Sequence, residues 1–253
     1  MKYFIFQTLI ALFILQPLSA QGLREVSIAW EEGEKPPYLM LDDQNHPFGI
    51  AVEMLEEIFK QNRITPKHQI LPWKRCLIKV GRKEVDIVPN ASFKMERAAY
   101  AYYSNPFYQT HLVLIYKKNR FREVPDIKSV EDLKPYNVGG VLGFNYSQYE
   151  HKIQMDTGSK KRELLIRKLQ NDRVDFAVLQ KEVILSLAKK GKVDLSGLAM
   201  LPDPVRPIKV FHILIVKNAR GLKIKKVINE GLDRLQKSGT TAALLEKYLI
   251  QIQ

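Results

Sequence analysis

VDIVPNASFKMERAAYAYYSNPFY (residues 85–108) sets an arginine behind a short polar loop that follows an apolar strand. Val85, Ile87 and Val88 predict a buried strand, Pro89 and Asn90 are expected to stop it, and Ser92 stands five residues before Arg97, near a helix start. Loop amides and a guanidinium can then face one anion. A guanidinium offers a carboxylate two parallel hydrogen bonds in a rigid fork, which a flexible lysine ammonium does not reproduce. Taken alone, one arginine also reads as a surface salt bridge, so the flanking sequence has to supply the context.

Upstream, EVSIAW (25–30) alternates as a strand, EEGEKPPYLMLDDQNHPFG (31–49) is an acidic loop with a Pro-Pro step, and IAVEMLEEIFKQN (50–62) has helical spacing. Ile50, Met54, Leu55 and Ile58 form the apolar stripe of that helix; Glu53, Glu56, Glu57 and Lys60 form a solvated face rather than a catalytic pair. KHQILPW (67–73) predicts a strand feeding the helix RCLIKVGRKEV (75–85), which leads into the strand at 85–90. Strands alternating with helices argue for a parallel α/β sheet.

Downstream, THLVLIYKK (110–118) is long enough to leave one lobe and enter another, where the pattern restarts. SVEDL (129–133) predicts a short helix, YNVGGVLG (136–143) a strand running into a glycine-rich turn, and a further helix is expected from about Ser147. KKRELLIRKLQNDRV (160–174) is amphipathic with Leu164, Leu165 and Leu169 on one side; DFAVLQ (175–180) is a buried strand, and KEVILSLAKKG (181–191) a helix ended by Gly191. IKVFHILIV (208–216) is placed to cross back, and the tail from Lys223 is helical, broken at SGT (238–240). The economical division is a first lobe of residues 21–112 plus 213–253 and a second of 113–212 that includes the crossing strands, with a cleft between them. A single continuous α/β domain satisfies the same periodicity.

Residues 1–20, MKYFIFQTLIALFILQPLSA, combine Lys2, an apolar run and small residues before Gln21, the pattern of a secretory signal peptide cut after Ala20. The apolar run is shorter than the roughly 20 residues a membrane anchor needs. The expected product is an exported, periplasmic protein. Its single cysteine, Cys76, forms no internal disulfide and reads as a buried small hydrophobe. The chain carries a formal charge of +13, of which the leader accounts only for Lys2. Lysine and arginine are spread along it, in KKNRFR (117–122), KKR (160–162) and KIKK (223–226), with no nucleic-acid module motif, which favours solubility and attraction to anionic surfaces or solutes over nucleic-acid binding. His46, His68, His111, His151 and His212 show neither HExxH nor paired spacing, and no nucleotide or nucleophile-elbow motif occurs, so no metal, cofactor or catalytic residue is expected.

The ordered set PPY (36–38), Gly49 before an amphipathic helix, LPW (71–73), VDI (85–87), Glu96-Arg97, SNPFY (104–108), VGGVLG (138–143) and RVDFAVL (173–179) resembles family 3 of the bacterial extracellular solute-binding proteins, the polar-amino-acid type. The resemblance implies a type II periplasmic-binding fold: two α/β lobes, joined by two crossover strands, closing on a small solute for an inner-membrane ABC permease, as a monomer. It further implies that Arg97 receives the ligand's α-carboxylate, that Ser92 and Asn90 add hydrogen bonds, that Tyr38 forms the aromatic wall of the first lobe, and that Gly143, Phe144 and Asn145 form the second-lobe turn whose amides also hold the carboxylate. Asn145 replaces a small hydroxyl residue, Ile50 stands where an aromatic is common, and Gln180 takes the place of the aspartate that pairs with an α-ammonium. Trp73, with Lys74 and Arg75, is placed to line the first-lobe cleft or to be buried at a helix start. Two other functions fit the same fold: an exported enzyme acting on a small carboxylate, dehydratase-like, with Glu182 as general acid, and a sensory or envelope-interaction module.

Overall fold

Alternating apolar residues of Glu25–Glu31 build strand β1, in which Val26, Ile28 and Trp30 are wholly buried. Residues 23–249 are described by the structure, a computed structural model, so the expected signal peptide at 1–20 lies outside the described residues. Two short strands, β2 (Met40–Leu41) and β3 (Pro47–Phe48), precede helix α1 (Ile50–Gln61), followed by β4 (Thr65–Leu71), α2 (Trp73–Gly81), β5 (Ile87–Ser92), α3 (Met95–Ala98) and β6 (Ala101–Tyr103). Strand β7 (Tyr108–Lys117) leads into a second half made of β8 (Val138–Val141), β9 (Met155–Ser159), α4 (Arg162–Gln170), β10 (Phe176–Gln180), α5 (Lys181–Lys189) and β11 (Leu198–Pro202). Strand β12 (Ile208–Val216) returns, and α6 (Ala219–Lys237) and α7 (Thr240–Leu249) pack on the first half.

The long strands run in the order β4-β1-β5-β12-β7-β10-β8-β9, with β6 beside β12 and β11 beside β7. Both outer groups, β4-β1-β5 and β10-β8-β9, are parallel, as βαβ connections require. They are joined through the antiparallel pair β7 and β12, whose register runs from Ile208 opposite His111 to Phe211 opposite Tyr108. The two extended apolar runs read from the sequence are therefore these linking strands.

Each half has its own core. In the first, Ile50, Met54, Leu55 and Ile58 of α1 face Ile224, Ile228 and Leu232 of α6 above β1 and β5, each fully buried apolar side chain contributing about 1.5–3 kcal/mol. In the second, Leu165, Ile166 and Leu169 of α4 meet Val183, Ile184 and Leu187 of α5. Leu164, expected on the inner stripe, is exposed, and Ile166 takes its place.

Two local expectations are corrected. Pro89 and Asn90 do not stop the strand: β5 continues to Ser92, with Asn90 in left-handed backbone at φ 63° and a shift in the pairing with β12 between His212 and Leu214. A bulge absorbs the irregularity that the Pro-Asn pair suggested would end the strand. The helix expected from about Ser147 does not form; residues 147–152 make turns. Tertiary bonds outcompete it, since the Ser147 amide donates to Asn145 Oδ1, the Tyr146 hydroxyl to the Val178 carbonyl, and the Tyr149 hydroxyl to Asp203 Oδ2.

Candidate functional site

The ends of several strands point into one cleft between the halves, whose interior space of about 70 Å³ admits only a small solute in this closed arrangement. The first half lends Glu31 from the end of β1, Lys35 from the following turn, Trp73 from the start of α2, Asn90 and Ser92 from β5, and Arg97 from α3. Facing them are Leu142, Gly143, Phe144 and Asn145 from the turn after β8, and Gln180 from the end of β10. Lys209 and Phe211 of β12 form the floor. Gly143 closes its turn at φ 77°, a conformation that costs a residue with a Cβ.

Arg97 is 4% exposed. Its Nη1 donates to the Ser92 carbonyl at 2.9 Å and its guanidinium carbon lies 5.4 Å from the centre of the Trp73 ring, while Nε is buried without an acceptor. The arginine is thus braced by backbone and indole, with hydrogen-bonding capacity left over. Asn90 accepts from the Tyr108 hydroxyl at 2.8 Å, and its Nδ2 is buried and unpartnered. Gln180 Oε1 and Glu31 Oε1 are likewise buried without donors. Asn145 bridges the halves, donating from Nδ2 to the Phe93 carbonyl at 3.0 Å and accepting from Lys209 Nζ at its own carbonyl at 2.6 Å.

Of the residues named from the sequence, Trp73, Asn90, Ser92, Arg97, Gly143, Phe144, Asn145 and Gln180 are brought together here. Tyr38 is not. It is 1% exposed, stacks on Tyr108 at 4.1 Å and donates to the Gln109 carbonyl, so it supports the site from behind while Phe211 presents a ring to the cleft. Lys74 and Arg75 are exposed outside it, and the loop after β8 enters a turn rather than the N-terminus of a helix. Glu182 is held at the linking strand, taking the His111 amide at 3.1 Å and its ring Nδ1 at 2.6 Å.

Lys35, Lys209 and Arg162 escaped the sequence reading. Lys35 lies 3.3 Å above the Phe211 ring, and burial, reinforced by Arg162 and Lys209 and opposed by Glu31, brings its pKa down to about 7. Burial, with Arg206, Arg97 and Arg162 adding to it and Asp203 opposing, brings Lys209 to about 8. Arg162, the first residue of α4, sits in the adjoining part of the cleft 4.8 Å from the Phe144 ring; burial holds it below the ordinary guanidinium value. A weak signal for Lys209 was available: a lysine two places from Phe211 in an apolar strand shares its face. Lys35 and Arg162 sit in ordinary loop and helix-start sequence and carry none.

The cleft thus gathers four buried cations and several buried donors without acceptors. Among the described residues no group of three or more His, Cys, Asp or Glu side chains is arranged to hold a metal ion, and no helix is long and apolar enough to cross a membrane.

The two-lobed architecture is the type II periplasmic-binding fold, and residues 28–251 match the model of the bacterial extracellular solute-binding proteins, family 3; the chain belongs to that family. It is 26% identical over 256 residues to the "Probable amino-acid-binding protein YxeM" of Bacillus subtilis, covering 95% of this chain and 93% of that one. The L-cystine-binding protein TcyJ of Escherichia coli is 24% identical over 226 residues, 86% of this chain and 80% of its own. Among solved structures, a histidine kinase sensor domain with similarity to periplasmic binding proteins superposes with a TM-score of 0.72 at 17% identity, over 89% of this chain and 96% of that one, a likeness of fold alone. The protein is therefore a solute-binding protein, from a family of binding proteins rather than enzymes.

Proposed function

We propose that the protein captures a small carboxylate-bearing solute in the periplasm and presents it, as a monomer, to an inner-membrane ABC-type permease. One observation carries the reading: Arg97, buried and braced, keeps a free Nε beside Ser92 and Asn90 in a closed cleft. A buried guanidinium with spare donors gains most from an anion that completes its hydrogen bonds. The relatives named for amino-acid and cystine binding support a carboxylate, since such ligands all carry one. Ser92, Asn90, Trp73, Gly143, Phe144, Asn145 and Gln180 would complete the contacts, with Tyr38 backing the wall. Because the ligand would touch both halves only when they meet, its binding favours the closed form.

The test is a thermal-shift and calorimetric screen of residues 21–253, stripped of carried-over ligand, with Arg97→Ala in parallel. A ligand at 100 times its Kd adds about 2.7 kcal/mol, or roughly 5–10 °C for a chain of this size. Breaking a buried charge pair costs about 2–5 kcal/mol, so Arg97→Ala should weaken binding roughly 30-fold to several thousand-fold. Unchanged affinity in that variant would overturn the role given to Arg97.

A further inference from the structure

The cleft holds far more positive charge than one carboxylate needs. Lys35, Arg97, Arg162 and Lys209 are 3–7% exposed and act on one another across the cleft. Glu31 is the one carboxylate lining the cleft with Lys35, Arg97 and Lys209; the adjoining part that holds Arg162 is lined by Glu32, Glu34 and Glu163 too, set against Lys160, Lys161 and Lys192. The unpartnered buried nitrogens are Arg97 Nε, Arg162 Nε and Nη2, and Asn90 Nδ2, all of which ask for acceptors. The cations also stand at different places: Lys35 and Arg97 in the first half, Arg162 in the second, and Lys209 on the strand linking them.

A zwitterionic amino acid answers this arrangement poorly. Its carboxylate would meet Arg97, but its ammonium would enter a cleft already rich in cations, where Gln180 is neutral and the one carboxylate, Glu31, already offsets Lys35 and Arg162. It would bring no net charge to set against the others. A ligand with two separated carboxylates and no ammonium supplies acceptors to both halves at once. Buried cations gain from a partner anion what they lost in hydration. Glu31 Oε1 and Gln180 Oε1, two acceptors lining the cleft that are buried without donors, are suited to a ligand hydroxyl.

We infer that the ligand is a small dicarboxylic acid without an amino group, held between Arg97 with Lys35 in the first half and Arg162 in the second, and able to carry a hydroxyl toward Gln180. The inference rests on the solute-capture reading above and narrows its ligand class. A single phosphoryl group is also a dianion, but it concentrates its charge at one point, whereas these cations are distributed.

Calorimetry on the stripped wild-type protein, with succinate, malate, aspartate, glutamine, cystine and inorganic phosphate, separates the cases. Malate or succinate should bind at least tenfold tighter than aspartate, and glutamine and cystine weaker still. Arg162→Gln should weaken succinate at least tenfold while changing the binding of acetate, which reaches Arg97 alone, by less than about threefold. Because the ligand ranking is read on wild-type protein, a variant that folds poorly does not decide the matter. Preferential binding of aspartate, glutamine or cystine would overturn the dicarboxylate inference and leave solute capture standing, and preference for phosphate would overturn the distributed-charge argument. If none of these ligands binds, the dicarboxylate inference falls, and the solute-capture reading is decided separately by the wider screen with Arg97→Ala.

Discussion

Lys35 carries a buried ammonium into the lining of the cleft. Its ammonium is 3.3 Å from the centre of the Phe211 ring, whose π face returns part of the lost hydration. Burial still dominates, so the group releases its proton near pH 7 instead of 10.5. An unfolded chain, with its lysine at the ordinary value, therefore binds more protons than the native protein between about pH 7 and 10.5, and native stability rises with pH across that window. Lys35→Met keeps the bulk and removes the titration. Measured by thermal unfolding of the stripped proteins, the variant should be the more stable at and below about pH 7, and wild type should close the gap as pH rises. Parallel pH curves would rule out a titrating buried lysine. Cys76 gives a second test at this scale. Burial, with Glu31 adding to it, pushes its thiol up to about 12, and Sγ donates to the Trp30 carbonyl at 3.4 Å. Thiol reagents should label it only in denaturant, since the thiolate is the reactive form; rapid labelling of native protein would contradict its burial.

Among the elements, β5 shows how a strand delivers polar side chains to a cleft without losing its pairing. Asn90 adopts φ 63° inside the strand, and its side chain takes the hydrogen bond of the buried Tyr108 hydroxyl. Asn90→Gly keeps the backbone freedom and loses that bond, whereas Asn90→Ala loses both. Each should be destabilised by about 1–3 kcal/mol for the abandoned hydroxyl, and Ala by about 1 kcal/mol more for the left-handed backbone. Urea unfolding checks the order; an alanine variant as stable as the glycine one would mean that the bulge relaxes. The same element marks the boundary of what was legible. The apolar periods of β1, α1, β7, β10 and β12 gave the two halves and their links, and motif order placed Arg97, Ser92 and Asn90. A Pro-Asn pair, however, reads as a stop, and only pairing with β12 carries the strand past it. The tract from Ser147 reads as helix until hydrogen bonds from distant residues claim its side chains. Lys35 and Arg162 are conventional in sequence; their place in the cleft exists only because the two halves meet there.

On the scale of the whole molecule, the halves are held together by a few polar contacts. The Lys192–Glu34 ion pair, the bond from Arg162 Nη1 to the Glu34 carbonyl at 2.9 Å and that from Asn145 to Phe93 all cross the cleft mouth. Working against them is the mutual repulsion of cations contributed by both halves and the linking strand. Closure should therefore depend on an anion that turns this repulsion into attraction, so that charge, rather than apolar burial between the halves, drives the motion. Small-angle scattering of the stripped protein should give a larger radius of gyration than the same protein saturated with its anionic ligand. Arg162→Gln should shrink that difference by relieving repulsion in the free state. Lys192→Ala removes one half-exposed ion pair, worth about 0.2–1 kcal/mol, and should weaken apparent affinity only about 1.4- to 5-fold. That loss should appear as faster dissociation, because the pair forms after the ligand is already in place. If the free protein is as compact as the liganded one and Arg162→Gln changes neither, the cations do not govern closure, and the contacts at the cleft mouth suffice to hold the halves together.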